Sequence, residues 1–404
     1  MHQARFRTAM AVAGGTLLVS GLAAVPATAV PTTAVRATAE PAPYTVVASG
    51  LNNPRHLSFS SGGALYVAES GTGGPGPCII GSEGSQICYG ATGSITKLTR
   101  SQLGWTQSRV VIGLPSLAGQ VADPETGAAP GGGALGPSDV VVRGHGFVAS
   151  IGLGAPPSAL GEGQATTDST STTPATLPSG LGTLIKGTLR PKAGAPAWRV
   201  LANLAAHEAA TNPIDTPDSN PASVARVGSH YLVADAGGNT VLDVNRRGRV
   251  RTIAAFPDTM VQAPGAPEGT LMPMQFVPTS AVVGPHHAYF VSQLTGFPFP
   301  EGGSTIWRLR RGHAPVAYAT GLTNVTDLAF ARDGTLYAVE ISSTGLLNGL
   351  TGALVRIPPG GGTAETVVGD LFAPYGVALR GHDAYVTIGS VLPGGGQVIK
   401  VPLH

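Results

Sequence analysis

Side chains that could perform acid–base or metal chemistry recur at two matching positions along this chain. The first position is the third residue of a short apolar run, and the second is the last residue of the next run, as Asp327 and Glu340 show. The first position holds, in chain order, His56, Asp139, Ser223, Ser280, Asp327 and Gly376. The second holds Glu69, Ser150, Asp235, Gln293, Glu340 and Ile388. This recurrence predicts that carboxylate, hydroxyl and imidazole groups gather at one edge of the fold.

Such a group of side chains suits a hard divalent cation, because Ca²⁺ is bound by carboxylates and other oxygen ligands. The candidate metal ligands are Glu69, Asp139, Asp235, Asp327 and Glu340. A cation beside a carboxylate can activate water for hydrolysis, and His56, Glu69 and Asp235 are then the candidate catalytic residues, with His56 as the base. The candidate ligand-binding residues are Asn53, Asp139, Ser223, Ser280, Gln293, Asp327 and Glu340. The alternative is structural, with acids that accept backbone N–H bonds and hold neighbouring repeats together.

The elements that must position these groups are β-hairpins. Two alternating apolar runs joined by a tight turn, such as Arg332-Asp-Gly334, predict a hairpin. Six copies occur, and the shorter spacings approach the roughly 40–50 residues of one propeller blade. The sixth copy ends after three strands, and residues 44–50 match the strand that it lacks. We therefore predict an all-β, six-bladed β-propeller over residues 44–404, closed by the N-terminal strand completing the last blade.

The connections between predicted strands divide into two faces. Loops after the first and third strands are short, whereas loops after the second and fourth strands hold every long segment. Long loops on one side of a rigid scaffold are where binding sites usually lie. The long-loop face is rich in acids and the short-loop face is rich in arginine, so we expect a ligand, glycan or protein partner on the acidic face. The basic face suits docking on anionic cell-wall polymers.

The N-terminus has the features of an export signal. Arg5 and Arg7 precede the apolar run 9–25, and Ala27-Thr-Ala29 provides small residues at a cleavage site. We predict a secretory signal peptide over residues 1–29, a disordered leader over 30–43 and an extracellular location. No later apolar run reaches the ~18 residues of a membrane span, so we expect no membrane span after signal removal. We also expect the protein to be a monomer.

The net charge argues against one class of partner, and the two cysteines predict a cross-link. Removing residues 1–29 removes two of the 24 basic residues and none of the 22 acidic residues. The remaining 22 basic and 22 acidic residues give a formal net charge of zero. Nucleic-acid binding is not expected, because it requires a basic excess. Cys78 and Cys88 lie ten positions apart in a Gly-rich stretch, where an exported protein would form a disulfide. A two-cysteine metal clip is the alternative, and it has no histidine partners nearby.

Several segments resemble the ScyD/ScyE family of secreted bacterial proteins. They are 50–55 (Gly-Leu-Asn-Asn-Pro-Arg), 65–71 (Leu-Tyr-Val-Ala-Glu-Ser-Gly), the Cys78 and Cys88 pair, 92–96, 113–118 and 135–139. Cyanobacterial members are associated with production of the pigment scytonemin, and the Ala/Gly/Pro bias suits an actinobacterium.

A second, more distant resemblance is carried by residues 233–241 (Val-Ala-Asp-Ala-Gly-Gly-Asn-Thr-Val). This segment resembles NHL repeats and six-bladed gluconolactonase-like enzymes, in which a Glu, an Asn and an Asp bind the metal. That resemblance implies a metal-dependent hydrolase or lactonase at the channel mouth, with Glu69 and Asp235 at comparable positions.

Overall fold

The computed structural model describes residues 43–123, 127–161, 177–212, 217–310 and 312–403. The predicted signal peptide and almost all of the predicted leader lie outside these residues, and they stay predictions. The described chain forms six antiparallel blades arranged in a ring, five of them with four strands and the first with five. The predicted six-bladed β-propeller is therefore confirmed.

The strands follow the chain in blade order, except that the first strand, β1 (Thr45–Leu51), belongs to the last blade. Blade one contains β2 (Pro54–Phe59), β3 (Leu65–Glu69), β4 (Cys78–Ile80), β5 (Gln86–Ser101) and β6 (Gly104–Ala118). Blade two contains β7 (Pro137–Arg143), β8 (Gly146–Ile151), β9 (Thr183–Thr188) and β10 (Trp198–Asn203). Blade three contains β11 (Pro221–Val227), β12 (His230–Asp235), β13 (Thr240–Asn245) and β14 (Val250–Ala255).

The remaining blades are built in the same way. A separate hairpin of β15 (Thr259–Gln262) and β16 (Leu271–Met274) follows blade three. Blade four contains β17 (Ala281–Val283), β18 (Tyr289–Val291), β19 (Ser304–Leu309) and β20 (Val316–Leu322). Blade five contains β21 (Val325–Phe330), β22 (Leu336–Glu340), β23 (Thr351–Ile357) and β24 (Glu365–Phe372). Blade six contains β25 (Val377–Arg380), β26 (Asp383–Ile388) and β27 (Gly396–Pro402), together with β1.

Helical segments occupy the connections. The α-helix α1 (Leu204–Thr211) follows β10, and the Asn203 side chain caps it by accepting a hydrogen bond from Ala206 N–H. Short 3-10 turns cover Pro157–Leu160, Pro285–His287 and Leu346–Asn348. Among the described residues, none of these helices has the length and hydropathy needed to cross a bilayer.

The ring closes by pairing the two ends of the chain. Strand β1 lies antiparallel to β27, with Val46 opposite Ile399 and Ala48 opposite Val398. Leu51 is fully buried and packs in one apolar cluster with Tyr385 and Val398. Without β1, strand β27 would expose an edge of unpaired backbone N–H and C=O groups. The predicted closure of the ring by the N-terminal strand is therefore present.

Apolar clusters between blades form the core. The largest cluster joins residues of blade one, such as Ile95, to residues of blade two, such as Phe147 and Ile151. Alternating side chains of one strand point to opposite faces of its sheet, and each face packs against a neighbouring blade. Both faces of the second strands are therefore buried, and every residue of β3 and β22 is buried.

The cysteine segment is more regular than the Gly-rich loop that we predicted. Cys78 in β4 lies opposite Cys88 in β5, and a disulfide joins them. Strand β5 continues unbroken into blade one, so this bond ties the long loop after β3 to the blade itself. The predicted disulfide is confirmed.

Candidate functional site

The residues at the first recurring position lie at the centre of the ring, and all of them except Gly376 place a side chain against another blade. His56, Asp139, Ser223 and Asp327 sit on the first strands of their blades, Ser280 lies just before β17, and all five are less than a tenth exposed. Gly376 takes the same position in blade six, just before β25. A Cβ at Gly376 would lie 2.8 Å from the His56 Cα atom, so no side chain fits there.

Three of these side chains accept hydrogen bonds from the next blade. Asp139 Oδ2 accepts the Val224 N–H at 2.8 Å, and Asp327 Oδ2 accepts the Val377 N–H at 2.8 Å. Ser223 Oγ accepts the Ala281 N–H at 3.1 Å. The hydrogen bonds within each donor's own sheet leave these backbone N–H groups unpaired. Because buried N–H groups need a hydrogen-bond acceptor, the side chains of the neighbouring blade provide it. These contacts match the structural alternative for the inner side chains.

Hydroxyl groups add a second set of links between blades. Ser70 donates to Pro137 O, Thr279 to Val325 O, Thr326 to Tyr375 O and Thr387 to Arg55 O. The sequence interpretation missed this set, because a lone Ser or Thr beside an apolar run has no distinctive spacing.

His56 spans the centre of the ring. Its Nδ1 lies 3.1 Å from Ser138 O in blade two, and its Nε2 lies 3.4 Å from Thr326 O in blade five. Nε2 is also 3.6 Å from Asp327 Oδ1. The Tyr375 ring packs edge-on against the imidazole at 5.0 Å. His56 therefore connects three blades and is only 2% exposed, so a substrate would have to displace neighbouring side chains to reach it.

Burial dominates the electrostatics of the inner acids. It raises the pKa of Asp139 to about 6, although the positive field of His56 and two backbone N–H groups oppose the shift. Burial likewise raises the pKa of Asp327, against the same effect of His56 and its own hydrogen bonds. A buried carboxylate is disfavoured in its charged form, and donors only partly compensate for the lost water.

The acids at the second recurring position form a separate structural feature. Each lies at the end of the second strand of its blade and accepts an N–H from the loop that enters the first strand. The donors are Asn52 to Glu69 at 2.7 Å, Asn220 to Asp235 at 2.6 Å and Thr323 to Glu340 at 2.8 Å. These acids hold the entry of the inner strand in place within one blade.

Glu69 has the most complete set of donors. Its two oxygens accept from Asn52 N–H, the Ser94 and Thr96 hydroxyls and the Arg109 guanidinium, at 3.1 Å from Nε to Oε1 and 2.8 Å from the terminal nitrogen to Oε2. Glu69 is fully buried, whereas the Arg109 side chain is 42% exposed. An acid whose oxygens are all occupied and paired with arginine is poorly placed to act as a base.

The other predicted ligand-binding residues also have structural partners. Asn53 adopts a left-handed backbone (φ 49°), and its amide donates to Gly71 O and Gly131 O. Asn324 repeats this arrangement before β21 (φ 44°), which we did not predict. Gln293 accepts from Trp307 Nε1 at 3.3 Å, away from the inner ring.

The contacts of the predicted ligands determine whether a cation fits among them. Each oxygen of Glu69, Asp139, Asp235, Asp327 and Glu340 already accepts at least one hydrogen bond. Within the described ranges, no three His, Cys, Asp or Glu residues gather into a potential metal site. A divalent ion would have to displace these donors, so the residues do not fit one as they stand. The Ca²⁺ and catalytic assignments remain predictions that the contacts do not support.

Two isosteric substitutions should have opposite effects, because Asp235 and Asp139 have different donors. Asp235 accepts from two N–H groups on Oδ1 and from the Ser219 hydroxyl on Oδ2, so Asn in Asp235→Asn can keep every contact by donating to Ser219 Oγ. Both oxygens of Asp139 accept backbone N–H groups, so the amide of Asp139→Asn would meet a donor. At pH 7.5 we expect D235N to be neutral or stabilising by about 1–2 kcal/mol, and D139N to cost about 1–3 kcal/mol. Urea unfolding measures both.

The pH dependence provides the control for this pair. Burial raises the pKa of Asp235 to about 6, above its ordinary value of 3.8, so the folded state binds more protons between these values. The free energy of unfolding of the wild type should therefore fall relative to D235N as pH rises from 4 to 6, then stay level. A D235N curve parallel to the wild-type curve would contradict this assignment.

Fold and inner ring together define a six-bladed β-propeller whose central side chains tie its blades to one another. No protein-family model matches the chain, and a search of curated proteins finds no significant match. Among solved structures, an oxidoreductase (glucose dehydrogenase) candidate from Thermus thermophilus is 15% identical, with a TM-score of 0.48 over 88% of this chain and 98% of that one.

Two further solved structures share the overall likeness. Virginiamycin B lyase from Staphylococcus aureus is 9% identical, with a TM-score of 0.44 over 89% of this chain and 98% of the lyase. A gluconolactonase candidate is 9% identical, with a TM-score of 0.43 over 89% and 93%. At these identities the likeness concerns overall architecture and says nothing of the reaction.

Proposed function

We propose that this chain is an exported, ScyD/ScyE-like β-propeller that binds a protein partner through its long-loop face. The observation that carries this proposal is the concentration of exposed apolar side chains on the long loops. Inner acids that are committed to hydrogen bonds support a binding role over catalysis at the channel mouth.

Seven of the twelve exposed large apolar side chains in the described ranges lie on the long-loop face. Met260 and Leu271 on the β15–β16 hairpin are each 55% exposed, and Phe297 and Leu347 on later long loops are 49% and 52% exposed. Ile80, Val121 and Phe372 are also exposed on loops or strand ends of this face. Met and aromatic residues are enriched where proteins bind one another, and groups of exposed apolar side chains mark interaction surfaces.

Charge on the same loops favours a basic partner. Exposed acids accompany the apolar residues, namely Glu83, Asp258, Glu268, Glu301 and Asp370. A negative surface steers positively charged partners toward it and gives the complex specificity. Apolar anchors surrounded by acids therefore suit a protein segment that carries both apolar and basic side chains. A neutral glycan would leave the apolar side chains without a matching surface.

Panning a phage-displayed random peptide library on the purified protein tests this proposal. We expect enrichment of peptides that combine Lys or Arg with apolar side chains, and at least tenfold less recovery on the triple variant M260S/L271S/F297S. The matched control is V46S/L103S/V316S, which removes three apolar side chains that lie away from the long loops and are at least as exposed as Phe297. The proposal fails if no peptide is enriched, if the triple variant retains the peptides, or if only glycans bind.

A further inference from the structure

A groove of about 570 Å³ lies on the opposite, short-loop face, between blades two and three. Its lining comes from β7 to β10 on one side and from β11, β12 and the β13–β14 turn on the other. Five cations line it, namely Arg143, Lys186, Arg199, Arg226 and Arg246, and its lining contains no acidic residue. A cavity of a few hundred Å³ is large enough for a ligand of several rings.

None of the five cations has an acidic partner among the described residues. Ion pairs in these ranges involve other basic residues, such as Arg251 with Asp243 and Lys400 with Asp383. None places a carboxylate within 4.0 Å of the groove cations. Five unpaired positive charges in one concave site produce a focused positive potential.

Two of these cations face each other directly. Lys186 in β9 is the register partner of Arg199 in β10. Like charges directly opposite on neighbouring strands destabilise the pair. Burial and the positive charge of Arg199 both lower the pKa of Lys186, in keeping with this repulsion. An anion bound between them would relieve this repulsion.

Aromatic groups complete the lining. Phe147 is buried at the base, and Trp198 and Tyr231 are half-buried along the walls. Neither Trp198 Nε1 nor the Tyr231 hydroxyl has a hydrogen-bond partner in the part of the chain that the structure describes. Each ring thus offers an apolar face and a free polar edge, which matches a sugar ring with its hydroxyl groups. Guanidinium groups bind carboxylate or phosphate through paired hydrogen bonds.

We propose that this groove binds a segment of an anionic glycan, in which sugar units carry carboxylate or phosphate groups. The cations hold the anionic groups, and Trp198 and Tyr231 contact the sugars. A nucleic acid offers phosphate groups of the same charge, and it is therefore included as a competing probe in the experiment below. This inference is independent of the protein-binding proposal, since the two surfaces lie on opposite faces.

Titration of the purified protein with four defined probes tests the groove. The probes are a galacturonate hexamer, a glycerol-phosphate polymer bearing sugars, neutral dextran and a single-stranded DNA 12-mer, followed by Trp fluorescence and calorimetry at 50 and 300 mM NaCl. We expect binding of one or both anionic glycans, weakened by salt as expected for screened charges, and none of dextran. The tighter of the two identifies the anionic group.

Variants locate the binding. R199Q/R226Q should weaken glycan binding at least tenfold, whereas R310Q/R332Q removes two exposed arginines elsewhere and should change it less than twofold. Lys186→Gln should not lower the melting temperature of the free protein, yet should reduce the glycan-induced shift. A merely structural Lys186 would produce the reverse pattern. The proposal is overturned if neither anionic glycan binds, if both double variants weaken binding equally, or if DNA binds as tightly through the same arginines.

Discussion

Deleting residues 43–51 is expected to abolish the cooperative unfolding transition of the propeller. This deletion removes β1, which provides the outer strand of blade six and buries Ala48 and Leu51 against Tyr385 and Val398. It also breaks the hydrogen bonds that join Ser49 and Gly50 to Gln107 and Arg109 on blade one. Both the open edge of β27 and the lost link between blades would favour aggregation. Circular dichroism melts and size-exclusion chromatography measure the effect.

The matched control is a chain that begins at Ala42, which retains β1 and should melt like the full chain. At single-residue level, Leu51→Ala should cost about 3 kcal/mol because it leaves a cavity in a fully buried site. Val46→Ala changes a side chain that is 51% exposed and should cost less than about 0.5 kcal/mol. A sharp, unshifted transition after the deletion would show that ring closure by β1 does not stabilise the fold.

Replacing Glu69 by alanine is expected to destabilise the domain by about 3–5 kcal/mol, because several donors, most of them buried, lose their acceptor together. The substitution leaves Asn52 N–H, the Ser94 and Thr96 hydroxyls and the Arg109 guanidinium without their acceptor. Urea denaturation at pH 7.5 gives the change in unfolding free energy, and a double-mutant cycle with Arg109→Ala isolates the ion pair.

Glu340→Ala provides the comparison, since Glu340 occupies the equivalent position in blade five, where among the described residues it accepts only the Thr323 N–H and a long contact of 3.4 Å from Ser343. We expect it to cost about 1–2 kcal/mol. Equally small losses of stability in E69A and E340A would contradict the conclusion that Glu69 stabilises the fold through its set of donors. A loss of lactone hydrolysis in a fully stable E69A protein would instead revive its predicted catalytic role.

The fold could be predicted because it depends on local patterns that repeat. Alternating apolar residues and tight turns such as Arg332-Asp-Gly334 are short-range signals, and six copies reinforce one another. The absent fourth strand of the last copy, together with its match at residues 44–50, was enough to predict the closure that β1 and β27 make. The Cys78–Cys88 disulfide followed from the spacing of two cysteines.

The partners of the recurring side chains could not be predicted in this way. Asp139 meets the Val224 N–H across 85 residues, and His56 lies beside Thr326 across 270. Spacing alone cannot distinguish a carboxylate that binds a cation from one that binds a backbone N–H, since both need an acid at the end of an inner strand. The groove was missed for a similar reason, because its cations come from five different strands or turns.

The sequence by itself determined the number of blades, the closure of the ring and the separation of long loops from short ones. These properties depend on period-two alternation and on turn chemistry, which act over a few residues. Only the tertiary structure decided what the side chains at the recurring positions do, because blades that are remote in sequence meet at the centre of the ring. There the buried N–H groups of one blade are satisfied by Asp139, Ser223 and Asp327 of another. The same meeting of blades brought Lys186, Arg199 and Arg226 into one groove.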